Sequence, residues 1–139
     1  MKLTPYLHFG GNAQEALDFY SAALNAEVLN VQHYGDSPMP CDEDYKDKIM
    51  HARLAFGDNL IMISDVFKGK PLTTEGNVDL SLDIEDRNQI DELFNKLAEG
   101  GSIMMPLEDT FWGARFGMLK DKFGTHWMFN HQLEPNPTN

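Results

Sequence analysis

Two amphipathic helices, opened by the same capping pattern and set in the same run of strands, constrain this chain more than any other feature. The first begins at Asn12-Ala13-Gln14-Glu15, an Asn N-cap followed three residues later by Glu. Its apolar residues fall at Ala13, Ala16, Leu17, Tyr20, Ala23 and Leu24, and it ends near Asn25. The second repeats the cap as Asp86-Arg87-Asn88-Gln89, runs a stripe through Ile90, Leu93, Phe94 and Leu97, and stops at Gly100-Gly101. The offset of roughly 74 residues is too long for a solenoid repeat and right for a duplicated half-domain.

The surroundings repeat as well. Strand-like runs at about 3–9, then 27–34, 48–56 and 59–65 bracket the first helix; runs at about 77–84, then 102–107, 114–120 and 125–131 bracket the second. Both halves therefore read β-α-β-β-β. Other small α+β proteins also place two helices between strands, and the matched caps favour duplication. The boundaries are module one at 1–66, a linker at 67–76 containing Gly69, Pro71 and Gly76, module two at 77–131 and a tail at 132–139. Neither half buries enough apolar surface alone, so the expected α+β fold is a curved, open-barrel mixed sheet with helices outside and a groove inside.

Composition narrows the function classes. A chain of 139 residues with 42% apolar and 11% aromatic residues has enough for one packed domain and is not disordered. No apolar run approaches the roughly 20 residues of a membrane helix. The start, Met1-Lys2-Leu3-Thr4-Pro5, shows no signal core, and the single Cys41 has no internal disulfide partner, so a soluble, cytoplasmic protein is expected. Eleven basic against 22 acidic residues give a net charge of -11, which disfavours nucleic acid and anionic membrane as partners. An anionic ligand would need a local basic group inside a pocket.

Strand alternation separates packed from groove-facing side chains. Val78, Leu80 and Leu82 are expected to pack, leaving Asn77, Asp79 and Ser81 on the other face; Met50, Ala52 and Leu54 pack opposite Ile49, His51 and Arg53. Trp127 and Phe129 pack, while His126, Met128 and Asn130 face away. The segment Phe111-Trp112-Gly113-Ala114-Arg115-Phe116-Gly117 and the turn Asp121-Lys122-Phe123-Gly124 form a hairpin that brings Arg115, His126 and both tryptophans close together.

Ligand-binding candidates are thus His51, Arg53, Asp79, Ser81, Trp112, Arg115, His126 and Asn130. Arg115 has two readings: a surface pair with Asp109 or Asp121, or a guanidinium that grips a ligand oxyanion. Trp112 has two as well, a groove floor or a dimer contact. Of the five histidines, His8, His33 and His131 read as surface or hydrogen-bonded groups. The segment 35–47 reads as a mobile insertion, with a lid as the alternative. Cys41 lies beside Asp42, Glu43 and Asp44 and is a poor nucleophile. No phosphate-cradling glycine loop or Ser-His-Asp motif is present, and no cofactor is expected.

These modules resemble the vicinal oxygen chelate superfamily of glyoxalase I, bleomycin-resistance proteins and extradiol dioxygenases. The quoted Phe-Trp-Gly segment and its hairpin are similar to the PhnB-like branch. So are Pro5-Tyr6-Leu7 with Ala16-Leu17-Asp18-Phe19-Tyr20, Met50-His51-Ala52, and Gly57-Asp58-Asn59-Leu60-Ile61-Met62-Ile63-Ser64-Asp65. Lys122 replaces the usual turn proline, and the hairpin should survive the change. The resemblance implies a homodimer. It places the superfamily's four metal-ligand positions at Pro5, Met62, Asn77 and Met128, none a His or carboxylate, so no metal is expected there.

The resulting expectation is a metal-free protein that binds a small polar molecule. The alternatives are a glyoxalase- or dioxygenase-type metalloenzyme with unconventional ligands, and the demethylubiquinone methyltransferase activity attached to the branch by name. Whether the chain is an enzyme stays open on the sequence, as does the identity of the ligand.

Overall fold

In a computed structural model that describes residues 1–134, the chain divides into two compact units, Met1–Thr73 and a second beginning at Thr74. The first unit orders β1 (Tyr6–Phe9), α1 (Ala13–Leu24), β2 (Glu27–His33), β3 (Ile49–Phe56) and β4 (Asn59–Asp65). The second orders β5 (Leu80–Asp83), α2 (Arg87–Ala98), β6 (Ser102–Asp109), β7 (Ala114–Lys120) and β8 (His126–Gln132). Each unit makes one four-stranded mixed sheet, in the order β1-β4-β3-β2 and β5-β8-β7-β6. The shared order, with one parallel pair at the edge and two antiparallel pairs, is the β-α-β-β-β module used twice.

One buried carboxylate organises the first unit. Asp65, 1% exposed at the end of β4, accepts hydrogen bonds from the backbone N–H of Gly11 (2.8 Å), Ala13 (2.9 Å) and Ile49 (2.9 Å). It thereby caps the amino end of α1 and ties it to β3 and β4. Asn12 supplies no side-chain cap, contrary to the sequence expectation; the side chain that meets the helix entry is Asp65, through Gly11 N and Ala13 N. The buried stripe Ala13, Ala16, Leu17 and Tyr20 then packs on the sheet, with the Tyr20 ring 6.4 Å from that of Phe9.

Asp121 serves the second unit. Its carboxylate accepts from Phe123 N (2.9 Å), Thr125 N (3.0 Å) and the Trp127 indole N–H (2.8 Å). The Asp-Lys-Phe-Gly turn closes with Gly124 in the left-handed region at φ +91°, so Lys122 is accommodated as expected. In this unit Asp86 caps α2 with its own side chain, accepting from Asn88 N at 2.8 Å. Ile90, Phe94 and Leu97 are buried, and the Phe94 ring meets Phe129 edge-on at 5.0 Å.

Two edge strands start later than expected. Pro5 has no N–H for the ladder, and β1 begins at Tyr6, although the Pro5 carbonyl still accepts from Met62 N. β5 begins at Leu80, so Asn77, Val78 and Asp79 precede the strand and Val78 is 71% exposed instead of packed. Ile49 is fully buried, whereas alternation placed it on the open face. On edge strand β6 the register shifts between Met105 and Glu108, across Pro106, as an edge bulge permits. The expected tail at 132–139 falls mostly outside the described residues.

Replacing Asp65 by Ala leaves three N–H groups without their acceptor and should destabilise the first unit by about 3 kcal/mol. Urea unfolding followed on that unit's amide signals checks this; a change under about 0.5 kcal/mol would contradict the assigned role.

Candidate functional site

In the first unit, odd-numbered Leu7 and Phe9 turn toward α1, and so do Ile61 and Ile63 of β4; the even positions form the open face. That face carries Tyr6 and His8 of β1, Met62 and Ser64 of β4, and His51 and Arg53 of β3. Register makes Arg53, Met62 and Tyr6 a cross-strand row, with His8 paired to Ser64. The Tyr6 hydroxyl reaches across β4 to His51 Nδ1 at 2.8 Å, and His8 Nδ1 is hydrogen-bonded to Ser64 Oγ at 3.0 Å. The Tyr6 and His8 rings stack at 4.8 Å, with planes 5° apart. Each imidazole thus has one nitrogen fixed by a protein partner, which sets the ring's orientation.

Arg53 is the exceptional group on this face. It is partly buried, and among the described residues no carboxylate lies within ion-pair distance of its guanidinium. The chain has three arginines, and the other two are paired. Arg87 holds Asp109 at 2.8 Å, and Arg115 holds Asp91 at 2.7 Å and Asp109 at 3.0 Å.

Arg115 does not reach an open face. Its strand neighbours Gly117 and Leu119 pack toward α2, and its guanidinium, 19% exposed, donates to Asp91 on that helix. Asp91 chiefly, and Asp109 after it, hold the guanidinium above its ordinary pKa against the opposing effect of burial. Asp109 in turn is held below the usual carboxylate range by Arg87 first and Arg115 second. The surface-pair reading is the one the geometry matches, with Asp91 in the place of Asp121, whose carboxylate is committed to the turn and Trp127.

The remaining candidates lie on the second unit but not together. Ser81, His126 and Asn130 share the face opposite α2, where Ser81 pairs with Met128 and Lys120 with His126. Asn130 donates to Asp83 Oδ1 at 3.0 Å. His126 Nε2 is buried with no hydrogen-bond partner among the described residues. Lys120 pairs with Glu75, whose carboxyl is held low chiefly by that contact. Asp79 sits just before β5, outside the paired register. Trp112, 51% exposed, stands in the β6–β7 loop with its ring 5.9 Å from Phe116.

Sequence reasoning missed Tyr6, His8 and Ser64. The signal was present: Phe9 packs, so alternation in Tyr6-Leu7-His8-Phe9 puts both aromatic polar residues on the opposite face. Hydrogen bonds and ion pairs tie the segment 35–47 to its surroundings. Gly35 N and Tyr34 N donate to Lys46 O and Lys48 O, and Lys68 grips Asp42 and Asp44.

The metal positions carried over from the superfamily do not fit a hard or borderline dication. Pro5 offers only a carbonyl already bonded to Met62 N, Met62 and Met128 offer thioethers, and Asn77 stands outside the strand. Among the described residues no three His, Cys, Asp or Glu side chains gather as a metal ion requires.

Paired β-α-β-β-β modules of this order define a member of the vicinal oxygen chelate superfamily. Residues 1–130 match the family described as 3-demethylubiquinone-9 3-methyltransferase, the PhnB-like family, and the chain belongs to it. It is 32% identical over 140 residues to Protein YjdN of Escherichia coli, covering 94% of this chain and 95% of that protein. Protein PA1353 of Pseudomonas aeruginosa superposes with a TM-score of 0.87 at 42% identity, over 96% of this chain and 99% of the other. A putative 3-demethylubiquinone-9 3-methyltransferase, PhnB protein, of Bacillus cereus does so at 0.80 and 30% identity, over 94% and 99%.

The Arg87–Asp109–Arg115–Asp91 network gives a signed pH dependence. Because the Asp109 carboxyl is lowered in the folded state, its contribution is present above the unfolded carboxylate range of about pH 4 and is lost as pH falls through the folded value. The melting-temperature gap between wild type and Asp109→Asn should therefore be widest near neutrality and close on acidification. A gap independent of pH would contradict the pairing.

Proposed function

We propose that the open face of the first sheet binds a small polar molecule through an oxyanion, without a metal ion. The observation that carries this reading is Arg53, a partly buried guanidinium with no carboxylate partner among the described residues of a chain whose net charge is -11. Acidic residues are abundant, so an arginine without a carboxylate partner among the described residues keeps its planar fork of donors for something else. His51 and His8 add two oriented imidazoles beside it, and the Tyr6 hydroxyl adds a fixed polar group. Met62, between Arg53 and Tyr6, gives the row an apolar middle suited to a ligand's carbon skeleton.

Binding is favoured over methyl transfer, the activity in the family's name. A guanidinium, two imidazoles, a phenol and a hydroxyl suit recognition of an anionic or carbonyl group. They do not specify a methyl donor. A cytoplasmic setting belongs to the same proposal, supported by the single unpaired Cys41.

A thermal-shift screen of small polar acids and antibiotics tests the site. A ligand held by Arg53 should stabilise the wild type, and its affinity should fall about tenfold or more in Arg53→Ala. Equal shifts in the two proteins would remove Arg53 from the site.

A homodimer is proposed on separate grounds. Ile103, Met104 and Met105 on edge strand β6 are 53%, 61% and 39% exposed, and Phe111 in the next loop is 97% exposed. Such an apolar stretch on a sheet edge suits burial against a second copy. Sedimentation equilibrium should show a dimer for the wild type and a weakened one for Met104→Lys; a monomeric wild type would overturn the reading.

A further inference from the structure

We propose that the hollow under the 36–47 segment of the first unit is a second binding site, independent of the Arg53 face, and that it takes a small alkylated ammonium ion. The hollow, of about 200 Å³, is walled by the rings of Tyr34, Tyr45 and Phe67 and bordered by Met39, Asp42 and Lys68. Tyr34 directly follows β2, and Phe67 lies two residues beyond β4, so the exits of two strands that flank β3 bring the rings together. The Tyr34 ring lies 5.2 Å from that of Tyr45 at 59° and 5.9 Å from that of Phe67 at 60°. All three rings line the hollow and give it a largely aromatic wall.

Both phenols are already committed. Tyr34 donates its hydroxyl to the Asp65 carbonyl at 2.7 Å, and Tyr45 donates to the Val66 carbonyl. Burial chiefly, then the Asp65 carboxylate, push both hydroxyls above their ordinary pKa, so the rings stay neutral. The walls are thus held in place before a ligand arrives and offer ring faces in place of hydroxyl groups. Phe67 is 56% exposed, an unusual position for a phenylalanine whose ring is fixed against a buried tyrosine.

Charge selects the occupant. Lys68 at the rim is held by Asp42, also at the rim, at 3.1 Å and by Asp44 just beyond it at 2.7 Å, one ammonium against two carboxylates, so this cluster keeps a net negative charge. The ring quadrupole presents its negative face, which attracts a cation and repels an anion. A bare metal ion or a primary amine is more strongly hydrated than an alkylated ammonium and gains less from ring faces in exchange for that water. A cation wrapped in alkyl groups loses little hydration and matches aromatic faces and the Met39 thioether.

Amide NMR titration with tetramethylammonium chloride tests the assignment, with tert-butanol as an uncharged probe of similar bulk. The wild type should show a saturable response at Tyr34, Tyr45 and Phe67 in the millimolar range, with tert-butanol binding more weakly. Phe67→Leu keeps apolar bulk and removes a π face, and should weaken tetramethylammonium binding about fivefold or more. Phe111→Ala, which removes an exposed ring in the other unit, should leave it unchanged. Equal binding of the uncharged probe, undiminished binding to a folded Phe67→Leu, or no saturable response in the wild type would each overturn the proposal. None of these results bears on the oxyanion site, whose variants lie on the open sheet face.

Discussion

The first unit depends on the Asp65 carboxylate. Its two oxygens take three backbone donors from two chain segments, the loop entering α1 and the start of β3, and fix both to the end of β4. Such a buried charge is tolerated only because charge-assisted hydrogen bonds replace its water, and the same bonds make it costly to lose. Everything on the open face follows from that anchoring: once β3 and β4 are registered and α1 covers one side, His51, Arg53, Met62 and Ser64 have no choice but the other. Asp121 plays the matching part in the second unit, holding a turn and the Trp127 indole with one carboxylate.

The three arginines show how this acidic chain apportions its cations. Arg115 and Arg87 share Asp109 and so brace α2 and the ends of β6 and β7. Partly exposed pairs of this kind contribute modest stability. Arg53 has been kept out of such a network, on a face where the neighbouring polar groups are imidazoles, a phenol and a hydroxyl. Family membership fixes the fold and leaves the ligand to be argued from that face, because one scaffold can host several chemistries.

Much of this architecture is legible in the chain itself. Helix periodicity marked both modules, the Gly100 stop marked the end of the second helix, and alternation in Trp127-Met128-Phe129 marked the packed face of β8. The failures have local physical causes. Asn12 looks like a cap by position, but the cap comes from Asp65, more than fifty residues away, and no local pattern announces a donor-acceptor match of that span. Arg115 was ambiguous because a strand arginine near acids and tryptophan fits two faces equally; only the closeness of Asp91 on α2 decides. Tyr6 and His8 are readable from Phe9, because alternation along β1 sets them on the face opposite the packed phenylalanine. The late starts of β1 and β5 reflect edge strands, where few ladder bonds define an end.

Arg53 is the one arginine without a carboxylate partner among the described residues, and we propose that it anchors the ligand. The most direct measurement is the side-chain Nε–H resonance of Arg53 in isotopically labelled protein, titrated with acetate, inorganic phosphate and methylphosphonate. The account predicts a saturable shift at Arg53, accompanied by His51 and His8, while the Arg115 resonance stays still. Movement at Arg115 with Arg53 unchanged, or no saturable response at Arg53 to any of the three anions, would contradict it.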